Sequence, residues 1–272
     1  MPKWIVRHVV VVLLVAVMVQ LGFWQLRRLD EKQAYKALVE ARQDQPAAAV
    51  DALVPAGAAV DAPEVDEVLY RRVEAIGTYA AEDTVVVENR SLNGASGAWV
   101  LTPLRLEDDV AVLVNRGFIG FDQDGEIVPP EPPSGEVRVS GLVFPSQQRG
   151  SFGATDPDEG TLEVLARVDL GRLAAQVDYD VLPAYVQLVT SEPSEVDATD
   201  VATGTGAATL VPLGPPEPDE GPHLGYAVQW FIFSTIAAVG YVLLLRKVAI
   251  DEATAGRATP SAPAPTEPVA SA

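Results

Sequence analysis

The sequence predicts a membrane protein: two transmembrane α-helices flanking one extracytoplasmic α+β domain that is mainly antiparallel β, barrel- or sandwich-like, with a short helix. Three observations predict it. Apolar runs at Val9–Leu26 and Leu224–Leu245 are each long enough, at about 1.5 Å rise per residue, to cross a hydrocarbon core of about 30 Å. Aromatic residues mark their limits, Trp4 and Trp24 on the first and Tyr226, Trp230 and Tyr241 on the second, as expected of side chains that favour the membrane interface. Between the runs, short β-rich segments alternate with turn signals.

Residues 1–8 form a short N-terminus and 9–26 the first span. The run passes into Gly22-Phe23-Trp24-Gln25-Leu26-Arg27 without a small-x-small cleavage site, which argues against a signal peptide. Residues 27–44 lack Gly and Pro and are rich in Leu, Ala, Glu, Lys, Gln and Arg, so the helix is expected to continue as a stalk. Residues 45–67, made of Ala, Pro, Val and acids without a clear period, read as a linker.

Residues 68–190 are expected to form the β-rich domain. The predicted strands are Val68–Tyr79, Thr84–Asn89, Ala98–Leu106, Val110–Val114, Glu136–Phe144 and Tyr185–Val189. Their turns are placed at Asn93-Gly94, Asp108-Asp109, Asn115-Arg116-Gly117, Asp124-Gly125 and Ser134-Gly135. Asp169 is the expected N-cap of a helix over Leu170–Val177. Residues 191–223 read as a Pro- and acid-rich tether, 224–245 as the second span, and 246–272 as a disordered tail.

Basic residues close to a membrane favour the cytoplasmic side. Arg246 and Lys247 follow the second span, with no Lys or Arg before it back to Arg172. The C-terminus is therefore expected in the cytoplasm. The first span by itself is ambiguous, since Arg27, Arg28, Lys32 and Lys36 after it outnumber Lys3 and Arg7 before it, but an even number of spans puts both termini on one side, with the main domain outside. The bias towards Arg, Ala, Val, Gly and Pro indicates a high-GC bacterium and hence the plasma membrane.

Residues 45–222 hold 31 Asp and Glu against 9 Arg and no Lys. That surface repels nucleic acid. Without cysteine, disulfides, thiolate metal sites, CxxC redox chemistry and covalent heme attachment are excluded. Two methionines do not make a soft copper site. His8 and His223 are the only imidazoles, too few for a His cluster, and neither accompanies a nucleophile elbow.

The polar residues at the outer ends of the spans are the site candidates. At about 100° per residue, Leu21, Trp24, Gln25 and Arg28 share one face of the first span, and His223, Tyr226, Ala227 and Trp230 one face of the second, with Gln229 at its edge. Gln25 and Gln229 are expected at similar depth, where a helix-to-helix hydrogen bond worth about 0.5–2 kcal/mol would satisfy a buried amide. These residues either anchor the helices at the interface or line a pocket for a flat, apolar, membrane-soluble ligand.

Five stretches carry a resemblance: Leu21–Arg28 with Lys32; Arg71-Arg72-Val73 with Gly77; Gly97–Pro103; Leu113–Phe118; and His223–Phe231. In order, spacing and two-span topology the chain resembles the surfeit locus protein 1 family of cytochrome c oxidase assembly factors, over about Gly22 to Arg246. The resemblance implies a non-enzymatic factor that promotes maturation of the heme-bearing catalytic subunit of the terminal oxidase, with heme a as a transiently held cofactor. It carries the family's elements onto Trp24 and Gln25, onto Asn115, Arg116 and Gly117, and onto His223, Tyr226, Gln229 and Trp230. His223 becomes the candidate axial ligand, and Arg28, Arg71, Arg72 or Arg116 candidate partners of propionates. A lone His before a span also serves as an interfacial cap, arginines in so acidic a domain also serve as structural ion pairs, and Asn115 and Gly117 also suit a turn. The chain departs from the family pattern at Gly120, where many members have proline, and in the missing aromatics of Leu165–Val177.

The alternative is a stable accessory subunit of the oxidase or of a respiratory supercomplex. Oxidase subunits and the lipid bilayer are the expected partners in either case.

Overall fold

The computed structural model describes residues 3–107, 109–122, 124–148, 153–195, 210–216 and 218–257. Two compact units emerge, one of residues 1–36 and 219–272 and one of residues 37–218. The first contains most of helix α1 (Lys3–Gln43) and all of α5 (His223–Arg257). Both helices are long and apolar enough to cross a membrane.

α5 continues through Arg246 to Arg257, so the first twelve residues of the expected disordered tail are helical. Val248–Ala255 contains no proline and only residues a helix tolerates, so the ladder propagates until Gly256. The rest of the tail, 258–272, lies outside the described residues, as do 196–209 of the tether.

The second unit is built on β1 (Ala48–Ala49), β2 (Arg72–Tyr79), β3 (Val85–Leu92), β4 (Ala95–Arg105), β5 (Val110–Gly120), β6 (Glu136–Pro145), β7 (Val164–Leu165), β8 (Asp180–Val181) and β9 (Ala184–Glu192). They form one sheet in the order β1-β2-β6-β9-β5-β4-β3-β7, with β8 beside β5. β2 also pairs with β4 through Thr78 and Tyr79, so the path β2-β6-β9-β5-β4 returns to β2. The longer pairings are antiparallel, and β5 with β9 is parallel, Val114 beside Val186.

β5 is buried from Ala111 to Ile119. Val112 and Val114 face one apolar cluster with Val73, Ala75, Tyr79 and Val139, whereas Leu113 faces another with Val85, Leu101 and Tyr185. Cover on both faces explains why the first half of this strand, Val110–Val114, reads as an unbroken apolar run. Tyr79, Tyr179 and Tyr185 are each pushed above the usual phenol range, burial being the largest cause.

The expected linker, 45–67, belongs to this core. α2 (Val50–Leu53) and α3 (Pro63–Val68, proline in the first turn) bring Val50, Val54 and Val65 onto the first cluster. The predicted strand start at Val68 moves to Arg72 accordingly. Asn93 and Gly94 close the β3–β4 hairpin as a two-residue turn with φ of 50° and 85°, the left-handed pair a type I′ turn requires. The Asp169 carboxylate caps α4 (Leu170–Ala174), accepting from Arg172 N at 3.0 Å. α4 stops short of the predicted Val177.

The predicted turn at Asn115-Arg116-Gly117 is a β-bulge instead. Leu101 pairs with Asn115 and Val100 with Gly117, leaving Arg116 as the extra residue, and β5 runs on to Gly120. Gly117 has φ of +144°, and a Cβ there would stand 2.7 Å from the Val211 carbonyl oxygen. Gly117 N donates to Asn115 Oδ1 at 3.2 Å. Asn and Gly thus serve a bulge, which bends a strand and redirects one side chain without ending pairing.

Candidate functional site at the helix pair

Among the buried and half-buried positions, Val11, Val15, Met18, Gly22, Gln25 and Leu29 form one series on α1, flanked by Val19, Leu21 and Leu26, and His223, Ala227, Trp230, Ser234, Ala237 and Tyr241 form one on α5, flanked by Phe231. Alternating steps of three and four define a coiled-coil-like seam. At Gly22 the absence of a side chain admits Phe231, whose ring would lie 2.7 Å from a Cβ there. Small residues let two apolar helices approach without a hydrophobic drive between them.

Two polar contacts cross the seam near its ends. His223 Nδ1 lies 2.8 Å from Gln25 Oε1, and Tyr241 Oη is hydrogen-bonded to His8 Nδ1, with Trp4 edge-on to the same imidazole. Just outside the apolar seam, Glu220 accepts from Gln33 at 3.1 Å and from Lys36 at 3.2 Å. Those two bonds, that from Gln33 being the larger cause, hold its carboxyl below the usual carboxylate range.

Gln25 therefore finds His223 and not Gln229, which is exposed on α5. Six residues along a helix are about 9 Å, too far for both α5 side chains to meet one amide. The seam face of α1 is Gly22, Gln25 and Leu29, whereas Trp24 is 46% exposed and Arg28 turns outward to Glu31 at 2.7 Å. Tyr226 is 49% exposed and Trp230 half-buried. The structure thus brings His223 and Gln25 together and leaves Trp24, Tyr226 and Gln229 on outward helix surfaces.

Gln25 presents an amide oxygen, so His223 donates from Nδ1 and its lone pair resides on Nε2. A ligating imidazole is commonly held in this way, one nitrogen donating to an oxygen while the other takes the metal. Nε2 stands beside Gly221, where a Cβ would come within 3.3 Å of it. The donor set therefore fits an axial heme ligand.

Arg116 belongs to the β domain, not to the helix pair. Its side chain is 2% exposed and that of Glu195 1%. Nε donates to Glu195 Oε2 at 2.5 Å, and Nη1 and Nη2 donate to the carbonyls of Pro130 and Glu131. Tyr79 Oη donates to the other Glu195 oxygen at 2.7 Å. All three guanidinium nitrogens are therefore bound internally. Arg72 donates to the Gln43 carbonyl at 2.8 Å, and Arg71 is half-buried with Nε unsatisfied. The partners Glu195 and Tyr79 escaped sequence reasoning because 79 and 116 residues separate them from the residues they bind. The seam had a signal, the repeat of small residues at Gly22, Ala227, Ser234 and Ala237.

Fold and site together define a class: two apolar helices, joined by polar contacts at the ends of their seam, with a mostly antiparallel β domain between them in sequence. Comparison with known proteins gives the family. The SURF1 family model matches residues 12–235, and the chain belongs to that family, known generally for oxidase assembly factors. An uncharacterized SURF1-like protein of Mycobacterium tuberculosis is 28% identical, covering 88% of this chain and 82% of its own. A SURF1-like protein of Rickettsia felis is 23% identical over 89% of this chain and 97% of its own, and one of Monosiga brevicollis 26% identical over 84% and 83%.

Proposed function

We propose that this chain is a non-catalytic, membrane-embedded factor that assists maturation of the terminal cytochrome c oxidase by holding heme a for the catalytic subunit. The observation that supports it best is the His223–Gln25 contact, which orients an imidazole at the end of an apolar helix seam. Bound there, heme would supply an iron that accepts the Nε2 lone pair. Gln25 fixes the ring and the donor tautomer, and the apolar helix faces keep water from the ligated side. Arg28, exposed one turn from Gln25, is the candidate arginine of this unit for a propionate. The charge asymmetry around the second span supports a topology with both termini in the cytoplasm and the β domain outside, and the composition bias supports a bacterial plasma membrane as its location.

The test is the reduced-minus-oxidised spectrum of host membranes and of the purified full chain. Deleting the gene should diminish the membrane heme a signal, and re-expression should restore it. His223→Ala should abolish heme on the purified chain, whereas His8→Ala, which removes the other imidazole, should leave it. Equal heme on the His223→Ala chain and the unaltered chain would refute the ligand assignment.

A further inference from the structure

The β2 strand has one edge that is not fully used. β6 pairs with it from Arg72 to Thr78 without a gap. On the other edge β1 covers only Val73 and Glu74, and β4 only Thr78 and Tyr79. The hydrogen bonds at the start of β2, Tyr70 N to Val143 O at 2.7 Å and Val143 N to Arg71 O at 3.1 Å, set the phase of the ladder. In an antiparallel pair alternate residues bond to the same neighbour, so Val73, Ala75 and Gly77 serve β6. Glu74, Ile76 and Thr78 present their N–H and C=O to the opposite edge. The bond from Ala80 N to Pro103 O at 2.9 Å keeps the same phase on β4. Glu74 thus meets β1 and Thr78 meets β4, while Ile76 meets neither.

A groove of about 840 Å³ lies at this gap, floored by Ala75, Ile76 and Gly77. Its rim carries the carboxylates of Asp51, Glu74, Glu107 and Glu136. Among the described residues that line it Arg105 is the one cation, bound to Asp109 at 2.5 Å, and Arg138 reaches Glu74 from outside the groove at 3.4 Å. Ile76 is 44% exposed there, and apolar residues that include Val50, Leu106 and Val110 line the groove between the charged groups. An open strand edge is a template for added backbone, but β1 and β4 block both ends of this one. It therefore has room for about two or three extended residues, and not for a long added strand.

We propose that this groove docks a short, extended, basic segment of a partner protein, which bonds to the Ile76 backbone and sets Lys or Arg side chains against the rim carboxylates. Backbone pairing supplies the binding and the alternate side chains the selectivity. Opposite charge across the contact also speeds encounter and rejects acidic segments. The inference uses the β domain alone and does not depend on heme binding.

The test uses the full chain in nanodiscs and two dye-labelled pentapeptides, Lys-Val-Lys-Val-Lys and Glu-Val-Glu-Val-Glu, followed by fluorescence anisotropy. The basic peptide should bind and the acidic one should not. Glu107→Lys and Glu136→Lys should each weaken binding about tenfold, since each sets like charges together at the contact. Glu159→Lys, exposed and outside the groove, should change it less than about twofold because salt screens a distant charge. Ile76→Pro removes an N–H that no ladder bond uses and should also weaken binding. Should it fail to fold, the two charge reversals still decide. A basic peptide that does not bind, or one weakened equally by Glu159→Lys and Glu136→Lys, would overturn the proposal.

Discussion

Arg116 is among the largest fully buried side chains of the molecule, and its charge is tolerable only because Glu195 and two carbonyls surround it. Removing one partner of a buried pair strands the other, at a cost of about 3–5 kcal/mol. Arg116→Ala should therefore lower stability by about that amount, read as the urea midpoint of the full chain followed by tryptophan fluorescence. Unchanged stability together with lost heme would instead favour the propionate role that the family resemblance implied. Arg116 stood out in the sequence, but what it binds did not, because Glu195 lies beyond four intervening strands.

Among the elements, β5 is buried along nearly its whole length. It pairs with β4, β8 and β9, and its bulge turns Arg116 towards Glu195 while Gly117 and Phe118 receive Val211. Phe118 N donates to Val211 O, and Val211 N donates to Phe118 O, both at 2.8 Å. Gly117→Ala would set a methyl against the Val211 carbonyl at a φ that L-residues rarely adopt, a strain of about 1–3 kcal/mol. Faster amide exchange at Val211 is the expected result, with Gly120→Ala, where a Cβ meets open space, as the neutral control. Equal exchange in the two variants would show that the bulge does not hold this segment. Strand content and the Asn93-Gly94 turn were legible from β propensity and turn chemistry. The bulge was not, since Asn and Gly permit positive φ equally in a turn and in a bulge.

For the whole molecule, the charge pattern makes a prediction about orientation that the absence of cysteine renders clean to test. Asp158→Cys on the β domain should react with a membrane-impermeant maleimide on intact spheroplasts, and Ala255→Cys near the end of α5 only after lysis. The reverse pattern would invert the proposed topology.

The sequence by itself determined the two apolar helices, the mainly antiparallel domain between them and the family, because apolar length, alternation and motif order are local properties of a chain. Only the tertiary structure decided that residues 45–67 join the core, that Gln25 meets His223 and not Gln229, and that Arg116 is enclosed with Glu195. Each of those pairings joins residues distant in sequence, and a hydrogen bond or a packed methyl depends on separations of a few ångström that helical phase and composition leave open.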